Sequence, residues 1–290
     1  MRAIEYAAPS SVEEAVAILA QHGAEARMLS GGTDIIVQAR EGRRNVAVLV
    51  DAKQIPETND LRFNADGSLH IGAAVPCAVI YENPEIAARF PALIDSASLI
   101  GGIQIQSRAS LGGNLCNSSP AADSIPTLIA LGGVAQIAGP NGRREVPVEQ
   151  FCTAPGRNVL GDDELLVSLT FPAPQPNSGA AFERFIPRNE MDIAVTNAAA
   201  AIVLDGNGQT FQSARIAVGA VAPTPLLVEA AGAALVGQPV SAASIERAAE
   251  LAGEAARPIS DMRGSVAQRK HLAKVLTRRV LEKAVQRATA

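Results

Sequence analysis

Ser110-Leu111-Gly112-Gly113-Asn114-Leu115-Cys116-Asn117-Ser118-Ser119-Pro120-Ala121-Ala122-Asp123 is the stretch around which the chain is organised. It has an upstream counterpart, Leu29-Ser30-Gly31-Gly32-Thr33-Asp34. Each sets a Gly-Gly pair among small hydrogen-bonding residues, and each follows an apolar run. Glycine frees the backbone to take φ > 0, and its missing side chain lets a bound molecule approach the peptide N–H groups. Successive N–H groups in such a turn form a concave nest for an anion. A lone Gly-Gly pair reads most simply as a tight surface turn. Two such loops, about eighty residues apart in the chain, suggest one large anionic ligand gripped at two points, such as the pyrophosphate of a dinucleotide.

The remaining composition narrows the field. With 290 residues the chain is long enough for two domains. Hydrophobic residues make up 48% and charged residues 19%, which is globular and not disordered. The net charge of −4 argues against a nucleic-acid partner. Trp is absent and aromatics are 3%, so stacking on bases or sugars is not the theme. The first ten residues lack a charged start followed by an apolar core, so no signal peptide is expected. No apolar run approaches the ~18 residues of a membrane span, so a cytoplasmic location is expected. Cys77, Cys116 and Cys152 form no Cys-x-x-Cys, which disfavours a zinc or iron–sulfur site on this chain. Free thiols are expected, and Cys116 within the second glycine loop reads as a small buried residue before a redox thiol.

Taken in order, Ser10-Ser11-Val12-Glu13-Glu14 reads as a capping box before a helix that Gly23 stops. Ala26 to Leu29 is a strand feeding the first glycine loop, and Val46 to Val50 is a buried strand. Leu69 to Ala73 is a strand, and Pro84 and Pro91 open two short helices. Gln104-Ile105-Gln106 alternates like a strand leading into Ser110. A helix follows Ser124. A hairpin turns at Pro140-Asn141-Gly142. Leu165 to Phe171 is a strand, and Pro172, Pro174 and Pro176 mark a boundary near residue 175. Strands over 180–186, 193–204 and 210–220 precede helices over about 225–236, 241–256 and 265–288. The expected class is α+β. A first domain would occupy 1–175, with subdomains of about 1–56 and 57–175, and a C-terminal domain 176–290. The last helix carries eight basic residues between Arg263 and Arg287, either a solvated face or a dock for an acidic partner.

Protein-borne catalytic chemistry is scarce. No Gly-x-Gly-x-x-Gly, P-loop, His-Glu-x-x-His or Gly-x-Ser-x-Gly occurs, and the three histidines are scattered. That fits a protein whose reactivity is a cofactor's.

The pair "SGGTD" and "SLGGN…SSPAAD", with "FERFIPRNEMDIAVTNAAAAIVL" further on, resembles the FAD-binding medium subunit of the molybdenum hydroxylases. That is the family of xanthine dehydrogenase and aerobic carbon monoxide dehydrogenase, and the resemblance covers essentially the whole chain. It implies a two-subdomain FAD-binding domain of the PCMH (vanillyl-alcohol-oxidase-like) type and a smaller sheet-plus-helices C-terminal domain. It implies non-covalent FAD. A molybdopterin-binding large subunit and a [2Fe-2S] small subunit would be partners, usually in a dimer of heterotrimers. This chain would pass electrons from the [2Fe-2S] clusters through FAD to an external acceptor.

The same resemblance assigns roles. Gly31, Gly32, Gly112 and Gly113 would bring N–H groups to the diphosphate, with Ser30, Thr33 and Ser110 adding hydroxyls. Leu29, Asp34 and Ile35 would complete the wall of the first loop. Leu111 lies inside the second loop, and Asn114 would order it. Asp123 would contact a hydroxyl or amino group of FAD, or cap the following helix, or both. Ile100 matches a contact position. Leu166 matches an apolar position beside the cofactor, or is core. Arg184 would stabilise negative charge on the reduced flavin, or form an ion pair. Ile193 would cover one face of the isoalloxazine. Met191 stands where some dehydrogenases have an acidic residue, which tells against NAD as the acceptor. The cysteine-rich insertion of some relatives is absent. A stand-alone FAD oxidase or reductase, and a non-catalytic nucleotide-binding protein, are the rival readings.

Overall fold

The computed structural model describes residues 3–290. Ser11 caps helix Val12–His22 by accepting from the Glu14 amide, and the Glu14 carboxylate reaches back to the Ser10 amide at 2.8 Å. Val12, Ala15, Val16 and Leu19 form the buried face, and Gly23 ends the helix at φ +52°. This helix is the crossover that parallel strands require. It links strands Glu5–Ala7 and Ala26–Leu29, which flank Val48–Asp51 in a three-stranded parallel sheet.

A second sheet is antiparallel, in the order Leu61–Phe63, Leu69–Gly72, Leu165–Phe171, Val134–Gly139, Gly142–Pro147. Its central strand is apolar almost throughout, as a strand covered on both faces must be. A register shift falls between Leu166 and Ser168. Leu165 and Val167 pack with Val12, Val48 and Val50 of the parallel-sheet unit. Leu166, Leu169 and Phe171 join the main core, built with the short helices of residues 77–130. One strand therefore joins two cores, and a cleft runs between them past Leu166.

The C-terminal part is a four-stranded antiparallel sheet, Ser178–Phe185, Thr196–Leu204, Phe211–Gly219, Leu226–Leu227 in that order. Helix Val266–Ala288 packs on its first two strands, and helix Ala242–Ala255 packs against that helix. The run Ala198 to Ala201 keeps the second strand thin. Approach is closest at Gly179, where an added Cβ would lie 2.0 Å from the Ala284 carbonyl oxygen. The architecture is α+β, a first domain of two sheets and short helices followed by a C-terminal domain of one sheet and helices.

Three expectations change. Gln104-Ile105-Gln106 is not a strand but part of the helical turn Ile103–Gln106. Three alternating residues cannot separate a period of 2 from a single turn of helix, and the Arg108 and Ala109 amides close onto Ile105 O. The segment near 225 starts as strand Leu226–Leu227 on Ala217 and Val218 before helix Glu229–Ala233. Half of the eight basic residues on and just before the last helix are committed within the chain. Arg269 is buried against Asp261, Lys274 pairs with Glu246 and Glu250, and Lys283 and Arg287 reach Asp95 of the first domain.

Candidate functional site

The two glycine segments, far apart in sequence, touch. A Cβ on Gly31 would sit 2.0 Å from the carbonyl oxygen of Arg108, just ahead of Ser110. Gly32 adopts φ +78°, open to glycine and strained for other residues. Among the described residues, the Gly32 and Thr33 amides have no acceptor. The second segment is a helix start and not a loop. Ser110 caps helix Leu111–Asn117, and its hydroxyl accepts from the Gly113 amide at 3.0 Å. First-turn amides of a helix have no intrahelical acceptor. Gly112 lets this turn lie on the strand end, since its Cβ would be 2.4 Å from Ala73 O. Gly113 faces the gap between the segments, its added Cβ meeting only Ser110 Oγ at 3.1 Å and Ser30 Cβ at 3.8 Å.

These segments border a cleft of about 820 Å³, within the usual range for cofactor sites. Ser30, Gly31, Gly32, Thr33, Asp34 and Ile35 line it from one side. Ser110, Gly112, Gly113 and Asn114 line it from the other, with Ile100 and Leu166 as apolar wall. Asn114 Oδ1 accepts from Ser124 Oγ at 2.7 Å, which fixes its amide. Burial raises the Asp34 carboxyl above its usual range, with Arg43 opposing.

Five expected residues lie elsewhere. Leu29 and Leu111 are buried beneath their segments. Asp123 and Arg184 form a buried ion pair of 2.6 Å, and Arg184 also donates to Leu99 O. Asp123 does not cap the following helix, whose N-cap is Ser124. Its Oδ1 is buried without a partner. Burial pushes the Asp123 carboxyl up to about 7, more than Arg184 lowers it. Ile193 is half exposed, ahead of strand Thr196–Leu204.

The cleft also contains cations that sequence reasoning missed. Arg27, Arg44 and Arg157 line it. Arg44 donates to Gln38, and Gln38 to Asn117 of the second glycine segment, so a hydrogen-bonded chain crosses the cleft. Arg157 follows a glycine, Gly156, in a two-stranded hairpin (Cys152–Ala154 with Arg157–Asn158) that carries no motif of its own. Only folding brings it here.

The donor set fits FAD. Unpaired amides and hydroxyls at two glycine segments suit a diphosphate, three arginines suit its charge, and Ile100, Ala73 and Leu166 suit an aromatic ring system. Comparison with known families agrees. Residues 2–174 match the family described as FAD binding domain in molybdopterin dehydrogenase. Residues 181–284 match the CO dehydrogenase flavoprotein C-terminal domain.

The chain belongs to the FAD-binding subunits of the molybdopterin dehydrogenases.

Its relatives are oxidoreductase subunits of matching length. The xanthine dehydrogenase FAD-binding subunit of Escherichia coli O157:H7 is 34% identical over 285 residues, 98% of this chain and 96% of that one. The carbon monoxide dehydrogenase medium chain of Hydrogenophaga pseudoflava is 32% identical over 280 residues, 97% and 96%. The structure of quinoline 2-oxidoreductase from Pseudomonas putida 86 superposes with a TM-score of 0.90 at 30% identity, covering 99% of each chain. This flavoprotein subunit has no helix, among its described residues, long and apolar enough to cross a membrane. Among the same residues no group of His, Cys, Asp or Glu could hold a metal ion.

Proposed function

We propose that this chain holds one non-covalent FAD in the cleft and relays electrons from [2Fe-2S] clusters of a partner chain to an external acceptor. Bound FAD would supply two-electron redox chemistry that no side chain here offers. The amides of Gly31, Gly32 and Gly112 and the hydroxyls of Ser30, Thr33 and Ser110 would hold the diphosphate, while Gly113, whose amide is spent on the Ser110 cap, would leave room for it. Arg27, Arg44 and Arg157 would balance its charge. Leu29, Asp34, Ile35, Leu111 and Asn114 would shape the two segments. Ile100 and Leu166 would exclude water from the ring system, and Ile193 would cover its outer side. The Asp123–Arg184 pair would set the local charge behind the ring, with the free Asp123 Oδ1 as the remaining acceptor. A molybdopterin-binding large subunit would do the substrate chemistry, in a dimer of heterotrimers. The free thiols support a reducing, cytoplasmic setting.

The observation that carries the reading is the meeting of both glycine segments on one cleft. The test is a visible spectrum of the purified chain before and after dithionite, with the released cofactor identified by mass. Bleachable FAD equimolar with the chain is expected. A chain and a co-purified complex that both lack flavin would overturn the proposal.

A further inference from the structure

Lys53 stands outside the cleft but grips a residue that lines it. Ser30, Gly31 and Ala52 are among the lining residues, and Lys53 is not. Its ammonium donates to Ser30 O at 3.2 Å and to Asp51 Oδ1 at 2.5 Å. Asp51 ends strand Val48–Asp51, in register with Leu29, the last residue of the strand that delivers the first glycine segment. Asp51 is 2% exposed. Its Oδ1 also accepts from the Lys53 amide at 2.9 Å, which caps the turn Ala52–Gln54. Its Oδ2 accepts from the hydroxyl of Tyr6, on the strand at its other side, Glu5–Ala7. One chain of hydrogen bonds therefore crosses the whole three-stranded sheet and stops on the Ser30 carbonyl.

The carboxylate needs these donors, because a buried charge without partners is costly. Burial raises the Asp51 carboxyl, but the Lys53 and Tyr6 hydrogen bonds and the Lys53 charge together bring it below its usual range. The pair is ionic at neutral pH, and the carboxylate holds the ammonium against Ser30 O.

That contact decides where the next amide points. Ser30 and Gly31 are joined by a trans peptide, whose C=O and N–H point in opposite directions. With the carbonyl turned to Lys53, the Gly31 N–H is turned away from it. Among the described residues that N–H has no acceptor. Gly31 is also wedged against the Arg108 carbonyl, where an added Cβ would lie 2.0 Å away. A flipped peptide would offer a bound anion an oxygen in place of a donor. It would also leave the Lys53 ammonium without its Ser30 acceptor.

Resting on the function proposed above, we propose that Lys53 is a positioning residue: anchored by Asp51, it holds the Ser30–Gly31 peptide with its N–H toward the bound diphosphate. It acts through the backbone, from behind the glycine segment.

The test uses the purified full chain, freed of flavin and titrated with FAD by fluorescence quenching. Lys53→Met alone would leave Asp51 buried without a cation, so it is combined with Asp51→Asn, which removes both charges. The double variant should bind FAD about tenfold more weakly or worse, the worth of one charged hydrogen bond. ADP, which carries a diphosphate without the ring system, should lose affinity by the same factor in competition with FAD. Lys53→Arg keeps a cationic donor beside Asp51 and should bind FAD more tightly than the double variant. Titrations run without denaturant, and urea midpoints are measured alongside. An unchanged Kd for FAD in the double variant would overturn the proposal, and a lowered urea midpoint beside it would make the network purely structural. A weakened FAD with ADP unmoved would place the effect away from the diphosphate and overturn it too. Normal FAD binding by wild type and double variant alike sinks the positioning role alone. A wild-type chain and complex that both lack flavin sink the cofactor reading, and this proposal with it.

Discussion

Asp123 and Arg184 meet at 2.6 Å across the boundary between the FAD-type domain and the C-terminal sheet, both nearly buried. The pair is not a simple stabilising bridge. Burial disfavours the charged carboxyl more than Arg184 favours it, so the Asp123 pKa rises to about 7. A raised folded-state pKa means stability is greatest below the unfolded value, about 4, and falls as pH rises to about 7. Asp123→Asn removes that titration. Urea unfolding followed by circular dichroism should show the variant gaining on the wild type between pH 4 and 7, with a constant gap above. A gap that grows in the wild type's favour would mean that the attraction of Arg184 outweighs desolvation.

Asp95 is the opposite case. It accepts from Arg287 and Lys283 of the last helix and from the Phe182 amide. Burial raises its pKa, but these partners together lower it more. A depressed folded-state pKa gives stability that is present at neutral pH and lost as pH falls below about 4. Asp95→Ala should cost roughly 2–3 kcal/mol at pH 7, read as a lower urea midpoint. The cost should vanish in acid. An unchanged midpoint at pH 7 would show that the bridge contributes nothing to holding the last helix on the first domain.

Much of this was legible in the sequence because it is periodic or chemically marked. The helix from Val12, the central strand at Leu165 and the two glycine segments were readable from spacing and residue type. What escaped depends on tertiary placement. Gly112-Gly113 carries no period, so a helix start could not be told from a loop. Arg27, Arg44 and Arg157 come from three segments without motifs and meet only in the folded cleft. A count of cations on the last helix could not reveal that Arg269 is buried or that Arg287 is spent on Asp95. Arg184 reads from the sequence as a flavin contact or an ion pair, but spacing cannot name Asp123, 61 residues away, as that partner.

The thiols should be inert in the folded chain. Burial pushes both Cys77 and Cys116 up to about 12, and raises Cys152 as well. Thiolate is the reactive form, so little of it exists at pH 8. A chromogenic disulfide reagent should react slowly with the native protein, and with all three cysteines in guanidinium. Fast reaction of Cys116, which is partly exposed and lines the cleft, would contradict its raised pKa.

The glycines separate folding from binding. Gly31→Ala places a Cβ 2.0 Å from the Arg108 backbone oxygen, an overlap that flexible side chains cannot relieve. It should cost about 1–3 kcal/mol and part the two segments. Gly113 opens toward the gap between Ser30 and Ser110, where the diphosphate is proposed to lie, so Gly113→Val meets little protein. That variant should fold with a midpoint near wild type and yet lose FAD, measured as the flavin-to-protein absorbance ratio after gel filtration. A Gly113→Val chain that keeps its full flavin would remove the second glycine segment from the site, even if the first still held the cofactor.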